Sequence, residues 1–134
     1  MKKVRAIILQ DHEIILIKRE KLEEIYWVFP GGGVEKTDSS LEEALKRECL
    51  EELGADVYVN NLFFKQKFQD NMEYFYICNI KSGKLGTGNG PEYQDNNFYI
   101  GSHKIEKYKI SEIKNLNVKP NNIRDSIVDF YKMF

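Results

Sequence analysis

The chain has 134 residues, of which 42% are hydrophobic and 31% are charged, and its formal net charge is −1. This length suits one hydrophobic core, so we expect residues 1–134 to form a single domain. The near-zero charge provides no global attraction to nucleic acid or to an anionic membrane, and no apolar run approaches the ~20 residues that span a bilayer.

The first third of the chain is predicted to form short strands that lead into a glycine-rich loop. Segments rich in β-branched and aromatic residues predict strands at Val4–Leu9, Glu13–Lys18 and Tyr26–Phe29. Pro30 ends the third strand, because the residue before a proline favours extended geometry. The triplet Gly31-Gly32-Gly33 is expected to open a loop.

One helix is predicted at the centre of the chain, from Leu41 to Leu53. Small polar residues at positions 37–40 supply several candidate N-caps, and Gly54 is typical of the residue that ends a helix.

The second half of the chain returns to strands and closes with a helix. Strands are predicted at Val57–Lys67, Glu73–Ile80 and His103–Ile110, one helical turn at Ser111–Leu116, and a last helix at Asn121–Phe134. This order of elements predicts an α/β (α+β) fold in which helices cover a mixed sheet.

The central helix carries its charges beside an apolar stripe. In i, i+4 rows, one row is entirely apolar and consists of Leu41, Leu45, Cys49 and Leu53. The adjacent row contains Glu48 and Glu52, and the row after it contains Arg47 and Glu51. Three carboxylates therefore gather within one turn, near a face that is expected to be buried.

Carboxylates this close repel one another unless positive charge lies between them. Arg47 balances one charge, and a divalent cation that prefers oxygen ligands balances the rest. Because Mg²⁺ takes further ligands from substrate phosphates, the pattern indicates phosphate chemistry. The simpler alternative is a solvated helix face with i, i+4 pairs such as Glu43–Arg47.

These residues resemble the Nudix hydrolase family, whose signature is Gly-x5-Glu-x7-Arg-Glu-U-x-Glu-Glu-x-Gly-U, where U is apolar. Gly33 and the segment Arg47–Ala55 match the signature at the same spacing, and Trp27–Glu35 is similar to its usual lead-in. The resemblance covers Tyr26–Ala55 and implies a Nudix-like α/β/α sandwich with a mixed sheet.

One position departs from the signature. The glutamate expected six residues after Gly33 is replaced by Ser39, and the neighbouring Asp38 is the nearest carboxylate. We predict that Asp38, not Ser39, covers the missing charge and belongs to the metal site. The alternative is that Asp38 only caps the helix, a role worth ~1 kcal/mol.

The resemblance also assigns roles to individual residues. The implied metal ligands are Glu48, Glu51 and Glu52, one of which acts on the attacking water. Arg47 is implied to orient a glutamate by a charge-assisted contact. Gly32 and Gly33 are implied to bring backbone groups close to the metal or to phosphate.

The implied activity is hydrolysis of nucleoside diphosphate-X compounds with Mg²⁺ as cofactor and Mn²⁺ as a candidate substitute. The expected partner is a small nucleotide; neither a membrane nor nucleic acid is expected, and a homo-oligomer is left open. Three alternatives remain: a catalytically silent Nudix-fold nucleotide-binding module, an RNA 5′-end or cap hydrolase, and an unrelated protein with a charged helix. Cys49 and Cys78 lack a CxxC spacing, which favours a reducing compartment and hence the cytoplasm.

A further carboxylate is predicted in the glycine-rich segment Gly86–Tyr93. Glu92 is the candidate for a general base or an additional metal ligand, because loops beside an active site often close over substrate. Its competitors are Asp70, Glu73 and Asp95. Aromatic residues that could stack on a base are plentiful, and the sequence singles out no pair among Tyr26, Phe64, Phe68, Tyr74, Tyr76, Tyr93, Phe98 and Tyr99.

Overall fold

The computed structural model describes residues 1–86 and 102–132, and these residues form eight strands, two α-helices and one 3-10 helix. The strands are β1 (Lys2–Gln10), β2 (Glu13–Lys21), β3 (Glu24–Val28), β4 (Gly31–Gly33), β5 (Ala55–Phe68), β6 (Asn71–Gly83), β7 (Ser102–Lys109) and β8 (Val118–Lys119). The helices are α1 (Leu41–Leu53) and α2 (Asn121–Tyr131), and the 3-10 helix is Ile110–Asn115.

The eight strands belong to one mixed sheet, in the order β5-β6-β1-β2-β3-β8, with β4 also paired to β1 and β7 also paired to β2. The pairs β1–β6 and β3–β8 are parallel, and the others are antiparallel. The strand β1 pairs with β2 only at Ile8–Gln10 and pairs with β4 at Lys3–Arg5. The sheet therefore forks along β1, and the glycine strand β4 lies in the fork.

Each face of the sheet packs against one helix, because alternate residues of a strand point to opposite faces. On one face, Val4, Ala6 and Ile8 of β1 pack with the buried side of α1. On the other face, Ile7 of β1 packs in a second cluster with residues of α2. We call these the α1 face and the α2 face. The arrangement confirms the predicted α/β/α sandwich with a mixed sheet.

The helix α1 begins and ends where the sequence predicts. The side chain of Ser40 accepts a hydrogen bond from the backbone of Glu43 at the N-terminus, and Gly54 ends the helix with φ 77°. The residues that α1 buries are Ala44, Leu45, Cys49 and Leu53, which follow the predicted apolar row closely. Ser40 is therefore the helix cap among the candidates at positions 37–40.

Two local predictions need correction. Gly31–Gly33 was expected to be a loop but forms β4, since its backbone pairs with β1 and needs no side chains to do so. The closing helix ends at Tyr131, and Phe134 lies outside the described residues. In the part of the chain that the structure describes, no helix has the length and apolar character needed to span a membrane.

Candidate active site

Arg47 holds the loop before α1 through Asp38. The guanidinium donates from Nε to Asp38 Oδ1 at 2.9 Å and from Nη2 to Asp38 Oδ2 at 3.0 Å, which is the two-point geometry of a strong arginine–carboxylate pair. The Asp38 side chain is buried and also accepts from the backbone of Glu35 at 2.8 Å. The Arg47 hydrogen bond, followed by the Glu35 backbone bond, holds the pKa of Asp38 below its ordinary value.

The same guanidinium reaches two carboxylates of α1. Arg47 Nη1 donates to Glu48 Oε1 at 3.1 Å and lies 3.4 Å from both oxygens of Glu51. Arg47 Nη2 also donates to the carbonyl of Gly33 at 3.1 Å, which ties α1 to β4. The hydrogen bond to Asp38 raises the pKa of Arg47, so the side chain remains a fixed cation.

The third glutamate of α1 is held by β4 from the other side. Glu52 Oε1 accepts a hydrogen bond from the backbone N–H of Gly31 at 2.9 Å. Gly31 has a φ of 149°, and a Cβ there would lie 2.0 Å from the carbonyl oxygen of Val4. Only glycine fits this position, so the N–H that orients Glu52 depends on glycine.

The absence of a side chain at Gly32 leaves space for the carboxylate of Glu48. A Cβ at Gly32 would lie 2.6 Å from the carboxyl carbon of Glu48. The Glu48 side chain is 15% exposed, so its carboxylate is enclosed between the backbone of β4 and the guanidinium of Arg47. A Cβ at Gly33 would meet Met1 only at an ordinary 3.5 Å, and the contribution of Gly33 is its carbonyl.

The structure thus brings together most of the residues that the sequence singles out. Glu48, Glu51 and Glu52 lie on one side of α1 with Arg47, and Gly32 and Gly33 lie against them in β4. Glu92 and its competitor Asp95 lie outside the described residues.

The acidic competitors in the described residues lie elsewhere. Asp70 is exposed in the turn between β5 and β6. Glu73 lies on the α2 face, because it points to the same side of β6 as Phe75 and Ile77 of the second core cluster. There it forms an ion pair with Arg5.

Asp38 has a different environment from the three glutamates. Both of its oxygens accept hydrogen bonds, from Arg47 and from Glu35, and the helix is capped by Ser40 instead. Its geometry is that of a residue that positions Arg47. The sequence analysis assigned no site role to Gly31, which orients Glu52. The available signal was its position directly after a proline and before two further glycines.

The three glutamates suit a hard divalent cation by donor type and charge. Carboxylate oxygens are the ligands of Mg²⁺. The carboxylates of Asp38, Glu48 and Glu51 share the single guanidinium of Arg47, and Glu52 bonds to the backbone of Gly31, so the cluster carries excess negative charge. Within residues 1–86 and 102–132, no three His, Cys, Asp or Glu side chains are grouped closely enough to form a ready-made metal cage.

Comparison with known proteins identifies related chains. The family model described as NUDIX domain matches residues 1–118. No curated protein matches the chain significantly by sequence.

Three solved structures illustrate the likeness in fold. The ORF135 protein of E. coli has a TM-score of 0.68 and 22% identity, covering 98% of this chain and 89% of that chain. An ADP-ribose pyrophosphatase from Streptococcus suis has a TM-score of 0.67 and 16% identity, covering 96% and 90%. A MutT NUDIX hydrolase from Burkholderia pseudomallei has a TM-score of 0.68 and 22% identity, covering 95% and 96%. At these identities the structures show a shared fold.

Proposed function

The chain belongs to the Nudix hydrolase family, and from this premise we propose that it is a Mg²⁺-dependent pyrophosphohydrolase of nucleoside diphosphate derivatives. One observation carries the proposal. Glu48 and Glu52 both lie against the glycine strand β4, one enclosed beside Gly32 and the other bonded to the N–H of Gly31 at 2.9 Å. Two oriented carboxylates suit Mg²⁺, which is commonly held by one or two carboxylates together with substrate phosphates.

In this proposal the residues of α1 divide into ligands and supports. Glu48, Glu51 and Glu52 would hold the metal. Arg47 orients Glu48 and Glu51 through its Nη1, and Asp38 keeps Arg47 in place from the loop. Asp38 is therefore proposed as a positioning residue, with no direct bond to the metal.

The chemistry that bound Mg²⁺ supplies is a lower pKa for water and neutralisation of charge on phosphate oxygens. The protein supplies orientation, since Glu52 bonds to the backbone of Gly31 and the carboxylate of Glu48 lies against Gly32. Mn²⁺ has the same preference for oxygen ligands, so it is proposed as a substitute. The cytoplasm is the proposed compartment.

The proposal is tested by a hydrolysis screen of the purified chain. The panel contains nucleoside triphosphates, ADP-ribose, nucleotide sugars and dinucleoside polyphosphates, each with Mg²⁺, with Mn²⁺ and with EDTA. We expect cleavage of a diphosphate linkage in at least one class, supported by either metal and abolished by EDTA. The absence of metal-dependent cleavage across the whole panel contradicts the proposal.

The same screen separates the alternatives. A silent binding module would bind nucleotides without cleaving them. An RNA 5′-end hydrolase would act on a capped or 5′-triphosphorylated oligonucleotide, which is added to the panel, in preference to free nucleotides. We favour the small-molecule enzyme because the three helix glutamates and Arg47 of the family signature are present, which argues against a silent module, and because the net charge of −1 gives no global attraction to RNA.

The role of Glu92 as general base remains a prediction. The pH–rate profile of the Glu92→Gln variant tests this role. Loss of an acidic limb together with a fall of at least ~10²-fold in kcat is expected for a base. A change in KM alone indicates substrate contact, and an unchanged profile rules out both roles.

A further inference from the structure

Two long strands of the sheet, β5 and β7, are edge strands. Within residues 1–86 and 102–132, β5 pairs with β6 alone and β7 pairs with β2 alone. Each strand therefore has one side on which its backbone N–H and C=O groups meet no other strand of the described residues. Such an edge is a template for pairing with another chain unless its side chains prevent it.

The side chains of β7 prevent pairing, whereas those of β5 do not. The eight residues of β7 include Lys104, Lys107 and Lys109, and lysine is the residue that most often protects an edge strand. The strand β5 is 14 residues long, and its central segment, residues 57–64, contains no charged residue. This segment is rich in β-branched and aromatic residues, which favour extended backbone.

The edge at β5 also exposes apolar side chains on both faces of the sheet. Leu62 lies opposite Tyr76 of the first core cluster and so points to the α1 face, yet it is 46% exposed. Phe64 lies opposite Phe75 of the second cluster and points to the α2 face, where it is 39% exposed. Apolar groups in water on both sides of one strand indicate a surface that another chain covers.

The charges of β5 are complementary to those of a second β5 that runs in the opposite direction. Asp56 lies near the start of the strand, and Lys65 and Lys67 lie near its end. Antiparallel pairing of two copies brings the acidic start of each strand to the basic end of the other. Parallel pairing in register would instead place like charges side by side, which is destabilising.

The aromatic residues favour one register of this antiparallel pairing. A two-fold axis at Asn61 places Tyr58 of each copy opposite Phe64 of the other, since both residues are three positions from Asn61. The two rings point to the same face, because their partners on β6, Asn79 and Phe75, are an even number of residues apart. Aromatic pairs directly opposite each other stabilise adjacent strands.

From these features we infer that β5 is a dimerisation edge, which pairs antiparallel with β5 of a second copy of this chain about a two-fold axis at Asn61. The sheet then continues from one copy into the other, and the backbone groups of both edges are paired. The strands β6 and β1 separate β5 from β4, against which Glu48 and Glu52 lie. The inference therefore does not depend on the proposed activity.

The first test measures the mass of the protein in solution. Sedimentation equilibrium from low-micromolar to millimolar concentration should show a wild-type dimer, with twice the 15.8 kDa of one chain. Leu62→Lys gives β5 the kind of side chain that protects β7, so it should weaken dimerisation by about tenfold or more. A wild-type protein that is monomeric over this whole range overturns the inference, as does a dimer that Leu62→Lys leaves intact.

The matched control is Leu22→Lys, which makes the same change at a leucine that is 82% exposed in the turn between β2 and β3. This variant should dimerise as the wild type does. Circular dichroism should show the same fold in both variants, since each replaced leucine is substantially exposed. Equal loss of dimer in both variants would contradict an interface at β5.

The second test examines the register by cross-linking. Both natural cysteines are buried, so an introduced exposed cysteine supplies the reactive thiol. In oxidised glutathione, Asn61→Cys should form a covalent dimer, because residues on the axis face each other within the Cα separation that a disulfide spans. Lys67→Cys is the control, since its two copies would lie roughly 40 Å apart in this register. Equal cross-linking of the two variants, or none by Asn61→Cys, contradicts the proposed pairing.

Hydrogen exchange gives a readout that separates a second copy from other ways of covering the edge. The outward N–H groups of β5 should exchange slowly in the wild-type dimer and faster in Leu62→Lys. Slow exchange of the same groups in a monomeric wild-type protein would mean that the chain covers this edge itself, and it would overturn the inference.

Discussion

The helices α1 and α2 lie on opposite faces of one sheet and dock in the same way, yet their polar sides differ. Both bury an apolar stripe, with Leu45 on α1 and Ile127 on α2 fully buried. The polar side of α1 bonds to other elements, as Glu52 does to β4 and Arg47 does to the loop at Asp38. On α2, Asn122 and Arg124 also bond to other elements, but the carboxylate of Asp125 is 60% exposed and pairs with the adjacent Arg124.

An apolar stripe therefore reveals how a helix docks but not what the helix does. A charged side chain on a docked helix is informative when its oxygens are oriented by backbone or by a buried cation, because that orientation costs side-chain entropy. By this criterion we propose α1 as the functional helix and α2 as the supporting one. Four predictions test the comparison.

The largest effect is expected from Glu52→Gln. It keeps the size of the side chain but removes a negative charge from the proposed metal site, so kcat should fall on the order of 10³-fold. Glu43→Gln on the first turn of α1 and Asp129→Asn on α2 are matched controls, and both should keep wild-type kcat. Steady-state kinetics on the best substrate measures all three. Near wild-type turnover by Glu52→Gln would remove the functional distinction between the helices.

Substitutions on the buried sides of α1 and α2 should lower the stability of the protein to a similar extent. Leu45→Ala in α1 and Ile127→Ala in α2 each remove a fully buried side chain, so each should lower the free energy of unfolding by about 2–5 kcal/mol. Urea denaturation monitored by circular dichroism checks both. A loss below ~1 kcal/mol in either variant would mean that its helix is not anchored as the structure shows.

A smaller effect, dependent on pH, is expected from Asp38→Asn. Because Arg47 lowers the pKa of Asp38 from its ordinary 3.8, the pair stabilises the fold above that pH, and the contribution is lost as pH falls through the lowered value. At neutral pH the variant should be about 2 kcal/mol less stable, and the difference should vanish in strong acid. Thermal unfolding from pH 2 to pH 7 measures this.

Asp38→Asn also separates a positioning role from metal binding. If Asp38 only positions Arg47, Asp38→Asn should lower kcat. The Mg²⁺ concentration for half-maximal rate should stay unchanged, because the metal ligands remain. A large rise in that Mg²⁺ concentration would instead place Asp38 in the metal site, as the sequence alone suggests. Asp125→Asn on α2 is the matched control and should change neither stability nor kinetics measurably.

The smallest effect concerns the N-terminus of α1. Ser40 accepts from the backbone of Glu43 at 3.0 Å, so Ser40→Ala should cost ~1 kcal/mol of stability. Ser39→Ala is the matched control, and its stability should be within ~0.5 kcal/mol of wild type because Ser39 is exposed. Equal losses in the two variants would contradict the assignment of Ser40 as the cap.

Much of the fold was predictable because its signals are local. The bounds of α1 follow from the apolar row, the serines before it and Gly54 after it, all within a few residues. Six of the strands were predicted from composition, and all of these except β7 are longer than predicted, since strand ends are fixed by pairing partners. Gly31–Gly33 was expected to be a loop because its pairing partner β1 is distant in the sequence, and no residue near the glycines indicates that pairing.

The family signature, the bounds of α1 and the cluster of three glutamates beside its apolar stripe can all be recognised in the amino-acid sequence. The cluster follows from helical periodicity, which brings residues three and four positions apart onto one side. Three contacts become visible only in the folded chain: Asp38 with Arg47, Gly31 with Glu52, and Arg5 with Glu73 on the α2 face. The last two contacts join residues that are 21 and 68 positions apart, and such contacts depend on strand register and chain crossings that no local pattern encodes.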